Sequence, residues 1–515
     1  MSTLTAESAD GLISPVRLPS PIGRKGSAEP VKYERKEWKK REQFHLGDYL
    51  NSVPDDRTYG PIAPERLDPF HDGLWMGGAS AYWVSAKTLH ARHSRWLTVD
   101  KKWTQFDHDE AVGIISSRRH LLTVIRMVAV LLAWRTCSAQ QLSALVGDPR
   151  VLPLHPNYRR RSDDLLWAAF SAGLIDLGCF PSPAGEDTDL NGLVVRLNKT
   201  SATWKRVIEP LLTWPEWVAV TGGMEWDTSG QYDRHNLLTT ELGLRVAEYL
   251  IDSEAKTPLA NVLGERFSNH TLLTKGLPET GLHPADRRGD LMVLRRDGLR
   301  IVFETTATSK TAGHKARNWA ELMRVAPLDV SGFVVVFVCA VDPENTSLSP
   351  QATVAETAAA IRSACLEIPG TVSNRTAERF GLIDWTEWFP ERHAVSKWFE
   401  TLNVARPTGP MDAPWERTDL TDPEQMRFAP APHFDAKALV DNTSLLASVP
   451  WWHCYERKGL NLWRLLMTED WDRYRATRET KPGAARWRPQ APARLRPANA
   501  VFTARETPRT SGRRR

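Results

Sequence analysis

Cysteine is scarce in this chain: five in 515 residues, Cys137, Cys179, Cys339, Cys365 and Cys454, with no close pair among them. That scatter argues against a disulfide framework and a zinc knuckle, and it predicts reduced, mostly buried thiols. Long hydrophobic runs are missing too. No stretch approaches the roughly 20 apolar residues that span a bilayer, and the longest apolar run near the N-terminus is too short for a signal-peptide core. A cytoplasmic location is therefore expected. Neither a Gly-rich phosphate-binding loop nor a G-x-S-x-G elbow occurs, which argues against an NTPase and a hydrolase of that type. The fourteen histidines form no spaced pair with a third ligand, so a His-rich metal centre is not expected.

The remaining composition is that of a globular protein, 41% hydrophobic and 25% charged. A chain of this length supports about two to four domains with cores of their own. The net charge of +5 is unevenly spread. Residues 473–515 hold thirteen Arg or Lys against Glu479 and Glu506, a local balance of +11 that leaves −6 on the first 472 residues. A second basic run, 24–41, holds eight cations against Glu29, Glu34 and Glu37. Basic tails suit polyanions such as DNA, because each phosphate contact releases condensed counterions. The plainer reading, that the charge keeps the chain soluble, stands beside it.

Along the chain, residues 1–30 are rich in Ser, Pro and Gly and are expected to be disordered. Residues 31–115 read as an N-terminal extension docked on the next domain. Pro54, Pro61, Pro64 and Pro69 interrupt regular structure there, while Trp75, Tyr82, Trp83, Trp96 and Trp103 supply aromatic surface. Residues 116–200 predict three helices, 120–136, 139–146 and 158–172, then strands at 174–180 and 193–197 around a polar tip. This is the order of a winged helix, whose third helix enters the major groove. Arg159, Arg160 and Arg161 open that helix and are the candidate DNA contacts. The tip carries Glu186, Asp187 and Asp189 and would repel DNA, so a structural role for this domain stays open.

Residues 201–232 form a Trp-rich connector, and 233–390 a second domain. An amphipathic helix starts at about His235 and carries Glu241. From Arg287 to Lys310 the chain reads as a β-hairpin, with apolar runs 291–294 and 299–303 flanking the turn signal Arg296-Asp297-Gly298. Asp290 enters the first strand and Glu304 leaves the second, which brings both carboxylates to one end of the hairpin, within reach of one divalent cation. A helix at 313–325 opens with Lys315 and Arg317, candidate nucleic-acid contacts. A strand at 333–340, a helix at 355–366 and a strand at 380–383 follow. Residues 391–472 are expected to be helical or irregular and 473–515 a disordered basic tail. The Trp-rich N- and C-terminal regions are candidate surfaces for a protein partner.

The order helix, three strands, helix, strand, helix, strand is similar to the core of the restriction-endonuclease-like superfamily, whose pattern is Asp, a gap, then Glu-x-Lys. The fold class expected is thus α+β or α/β: a winged-helix domain followed by a restriction-endonuclease-like mixed-sheet domain, with disordered basic termini. The resemblance implies Asp290 and Glu304 as metal ligands for Mg²⁺, Glu241 as the helix acid, and a catalytic lysine. Thr306 stands where that lysine belongs, and Lys310 is the candidate substitute. His235 with Glu241, Asp290, and the run Glu304-Thr305-Thr306-Ala307-Thr308 also resemble the replication-relaxation family of mobile genetic elements, over roughly residues 118–385. That implies DNA handling in plasmid replication, relaxation or transfer. Three functions remain open from the sequence: a metal-dependent endonuclease, a non-catalytic DNA-binding regulator or replication accessory, and an interaction protein using the same domains for assembly.

Overall fold

The computed structural model describes Val16–Arg17 and, apart from isolated positions, residues 67–71, 81–89, 106–151, 163–179, 193–211, 233–251, 258–268, 288–342, 349–409 and 414–436. The expected disordered N-terminus apart from Val16–Arg17, Arg159 to Arg161, the polar tip, residues 437–472 and the basic tail lie outside the described residues.

The first unit is built on α1 (His108–Ser116), α2 (Leu121–Trp134), α3 (Ala139–Val146) and α4 (Leu165–Ser171). Its four-stranded sheet comprises β1 (Tyr82–Val84), β2 (Thr136–Ser138), β3 (Ile175–Cys179) and β4 (Val194–Leu197), in the antiparallel order β1-β3-β4-β2. The helix α3 begins as its sequence requires. The Ser138 hydroxyl accepts from the Gln141 N–H, and the Gln141 side chain accepts from the Ser138 N–H, each at 3.0 Å, a reciprocal capping box.

Two expectations need correction. The helix expected at 158–172 is found as Leu165–Ser171, with Asp164 accepting from the Trp167 N–H as its cap, and Arg159 to Arg161 lie outside the described residues. Thr136 is the first residue of a strand, not the end of α2. Three residues are too few to show a two-residue period, and pairing of Thr136, Cys137 and Ser138 with Arg196, Val195 and Val194 makes the strand.

The second unit is a seven-stranded mixed sheet in strict chain order: β5 (Leu259–Gly264), β6 (Leu291–Arg295), β7 (Arg300–Thr306), β8 (Phe333–Cys339), β9 (Phe380–Asp384), β10 (Asn403–Pro407) and β11 (Trp415–Asp419). The pairs β7–β8 and β8–β9 are parallel and every other pair is antiparallel. Parallel neighbours need crossovers, supplied by α6 (Ala312–Val325) and α7 (Pro350–Glu367), which pack against each other on one face. Helix α5 (Asp233–Leu250) packs against β5 and β7. The central strand Phe333–Cys339 is buried at every residue, as its run of Val and Phe requires. Strands β10 and β11 fall where helical or irregular structure was expected. Their sequences, Asn-Val-Ala-Arg-Pro and Trp-Glu-Arg-Thr-Asp, carry little apolar alternation, and it is pairing, β10 onto β9 and β11 onto β10, that makes them strands.

One hydrophobic core runs through both units, from Phe70 to Met426. The start of α5 joins them. Asp233 accepts from the Ala81 N–H and the Trp83 indole at 3.0 Å each and from the Thr136 hydroxyl at 3.2 Å. Segment 67–71 is docked as well: Asp68 pairs with buried Arg245, and Phe70 stacks on Trp385. The described cysteines Cys137, Cys339 and Cys365 are free and buried, and burial pushes each thiol up to about 12. No helix among the described residues is long and apolar enough to cross a membrane.

Candidate active site

The hairpin positions two acids. Leu291 pairs with Phe303 and Leu294 with Arg300, and Gly298 turns the chain at φ +94°, where a side chain would be strained. Asp290 continues the ladder by donating its N–H to Phe303 O at 2.9 Å, so it lies beside Glu304 at the open end of the hairpin. Its carboxylate is anchored at Oδ2 by the Thr305 N–H at 2.7 Å.

Alternation along β7 sends neighbouring side chains to opposite faces. Glu304 faces α6, where the Trp319 indole donates to Oε1 at 2.8 Å and the Lys315 ammonium bonds to Oε2. Thr305 faces α5, its hydroxyl 3.1 Å from that of Thr239. Asp290 reaches both sides. Its Oδ1 lies 2.9 Å from His235 Nε2 on α5, and its Oδ2 lies 3.8 Å from Lys315 Nζ on α6. Lys315 and Trp319 are four residues apart, one helical turn, so a single face of α6 holds Glu304.

Of the residues singled out from the sequence, Asp290 and Glu304 are brought together with Lys315, the residue expected to contact nucleic acid. Lys310 is exposed on the 3-10 turn Ser309–Thr311 and makes no ion pair among the described residues. Glu241 is not part of this cluster. It binds Arg245 at 3.1 Å and accepts from Gln141 at 3.1 Å, facing the first unit. The cause is helical phase: His235 and Thr239, four apart, share the face towards β7, and Glu241 is two residues past that face. Arg317 forms an exposed ion pair with Glu367 at 2.7 Å across α6 and α7. Trp319 was not singled out from the sequence, and His235 was named only as a point of the family resemblance, not as a partner of Asp290. The signal for Trp319 was present, a Lys and a Trp at helical spacing in the helix that follows the strand carrying Glu304.

Electrostatics set the cluster apart from a surface ion pair. Burial alone would raise Asp290, but the cations of His235 and Lys315 outweigh it and hold the carboxyl down at about 2. Burial pushes Glu304 up, Lys315 opposes, and the neighbouring Asp290 charge adds to the rise, leaving the group at about 7. For Lys315 and His235 burial works against the charge, yet the carboxylates prevail and both lie above their ordinary values. The pair of acids thus holds one firm negative charge and one proton exchangeable near neutrality.

No group of three or more His, Cys, Asp or Glu side chains able to hold a metal occurs among the described residues. Two carboxylates suffice for Mg²⁺, which is commonly held by one or two of them and keeps several waters. Asp290 and Glu304 carry oxygens of the hard type that Mg²⁺ takes, but each oxygen already has a protein partner, His235, the Thr305 N–H, Trp319 or Lys315, which an ion would have to displace. No protein-family model, no curated protein and no solved structure matches this chain.

Proposed function

We propose that this is a DNA-handling protein of a mobile genetic element, with a Mg²⁺-dependent phosphodiester-cleaving site at Asp290, Glu304 and Lys315. One observation carries the reading: the Lys315 ammonium meets both carboxylates at the end of a hairpin inside a sequential mixed sheet. That is the charge set of a restriction-endonuclease-like site, with the lysine delivered from the following helix instead of position 306. The preceding helices and antiparallel strands fit a winged helix, and the basic tail fits a polyanionic partner.

Bound Mg²⁺ supplies a water of lowered pKa and a counter-charge for the phosphate. This chain's residues do the rest. Asp290 and Glu304 would hold the ion, while the Thr305 N–H and His235 orient Asp290 and the Trp319 indole orients Glu304. The Lys315 ammonium offsets negative charge that develops on the phosphate. A second reading, a non-catalytic DNA-binding regulator, is favoured by the fact that all four oxygens of the two carboxylates already have protein partners.

The two separate on supercoiled plasmid. Nicking that requires Mg²⁺ and disappears in Asp290→Ala and Glu304→Gln, with DNA binding retained, establishes the first. Retained binding with no nicking by the unmodified protein leaves the regulator, and nicking that persists in both variants means the site is elsewhere.

A further inference from the structure

Helix α5 opens on a residue pinned to the first unit and, two residues later, reaches the candidate site. Asp233 is its first residue and is fully buried. Its Oδ2 accepts from the Ala81 N–H and the Trp83 indole, and its Oδ1 accepts from the Thr136 hydroxyl. One turn on, Leu237 O accepts from the Gln141 side-chain amide at 3.0 Å. Asp233 and Leu237 are four residues apart, so a single face of the helix is tied to the first unit.

His235 and Thr239 lie on another face. Two residues of an α-helix turn through about 200°, so His235 projects away from Asp233. Its Nε2 meets Asp290 Oδ1, and the Thr239 hydroxyl meets that of Thr305. Among the described residues the His235 ring makes no second hydrogen bond, and it lines a narrow crevice with Trp134, Asn236, Thr239 and Glu265. A histidine is usually oriented by a bond at its other ring nitrogen. Neither such a bond nor close packing on the crevice side holds this ring, so its place follows from the rotational setting of α5. Hydrogen bonds fix that setting more sharply than apolar contact does, because they weaken steeply away from a linear geometry.

We infer that Asp233 is a positioning residue for the candidate site: by setting α5 on the first unit it fixes where His235 meets Asp290, and so steadies the Asp290 carboxylate. The role of Asp290 rests on the cleavage reading, whereas the hold on its carboxylate does not. The first unit is thereby a working part of the site.

Hydrogen exchange of the Thr305 amide, which donates to Asp290 Oδ2, reads that hold without DNA or metal. It is measured in the full chain by residue-resolved mass spectrometry, against the amides of 333–339 in the same sheet, so that a general loss of stability cancels. Asp233→Ala should speed Thr305 exchange ~10-fold relative to that reference, since a hydrogen bond to a charged group is worth about that factor. Asp233→Asn should exchange like the parent, because its carbonyl takes the Ala81 and Trp83 donors and its NH₂ donates to the Thr136 hydroxyl. Thr136→Val removes one bond, keeps the shape, and should give a smaller rise; it replaces Asp233→Ala if that variant does not fold. An unchanged ratio in whichever of the two folds overturns the inference, and so does an equal rise in Asp233→Asn and Asp233→Ala. In a parent that nicks, Asp233→Ala should need ~10-fold more Mg²⁺ for the half-maximal rate, and an equal requirement also overturns it. A parent that does not nick overturns the cleavage reading alone, and the exchange ratio then decides this one.

Discussion

Lys315, in the first turn of the helix after β7, closes an ion pair with Glu304 near the end of that strand, although the two are eleven residues apart in the chain. The ammonium is 32% exposed and the carboxylate 2%, so the open side of the pair is the lysine's.

Lys315→Met is therefore expected to abolish Mg²⁺-dependent nicking, a loss of ~10²-fold or more if the ammonium offsets developing charge. Lys310→Ala, on the exposed turn, should leave the rate unchanged. Single-turnover nicking of both variants measures this, and a Lys310 effect larger than the Lys315 effect would reverse the assignment.

Metal-free stability should depend on pH through the two acids with opposite signs. Asp290 is held below its ordinary 3.8, at about 2, so the unfolded chain binds more protons there and stability rises from pH 2 to 4. Glu304 is raised from 4.5 to about 7, so the native state binds more protons and stability falls between those values, by at most about 1.4 kcal/mol per pH unit. Urea titrations with a chelator present should show a flatter profile between pH 4.5 and 7 in Glu304→Gln. An equally steep decline in that variant would rule out Glu304 as its source.

The joint between α2 and the second unit is a close backbone approach. A Cβ on Gly264 would stand 2.5 Å from Ala133 O, and one on Gly243 would stand 2.2 Å from the Trp134 ring. Gly264→Ala is expected to cost ~1–3 kcal/mol. Gly243→Ala should cost less, because alanine returns about 0.8–1 kcal/mol of helix propensity. Denaturant midpoints of the two variants give the order.

Asp233 holds three donors from the first unit, two of them on β1 or beside it. Asp233→Ala strands the Ala81 N–H, the Trp83 indole and the Thr136 hydroxyl, for an expected ~2–4 kcal/mol. Thermal unfolding should show the loss, and protease sensitivity should increase around residues 81–84. A melt identical to that of the parent would mean these bonds contribute nothing net.

Removal of residues 473–515 takes away a charge of +11. DNA affinity should fall, and the slope of log K against log salt should become shallower by ~0.9 for each phosphate that the tail no longer neutralises. A slope that does not change assigns the tail to solubility alone.

Much of the second unit was legible from local pattern. The turn at Asp297-Gly298, the unbroken Val and Phe of 333–339 and the amphipathic stripe of 312–325 each declare a type and a place, because period and turn chemistry are properties of short segments. Short strands such as Thr136–Ser138 declare nothing, since pairing with distant residues makes them. Asp290 and Glu304 were found for the same local reason: a hairpin has one register, and register sets which ends meet.

The sequence by itself determined the order of the main elements from α5 to β9, the hairpin and the two acids it carries. Only the tertiary structure decided which cation answers them. Lys310 is the nearer to Glu304 in the chain, but it lies on an exposed turn, whereas Lys315 lies in the first turn of a helix whose packed face looks back at β7. Helical phase likewise turned Glu241 towards Arg245 and Gln141 and turned His235 towards Asp290. A side chain's direction follows from how its whole element is packed, and that packing is fixed by residues far away in the chain.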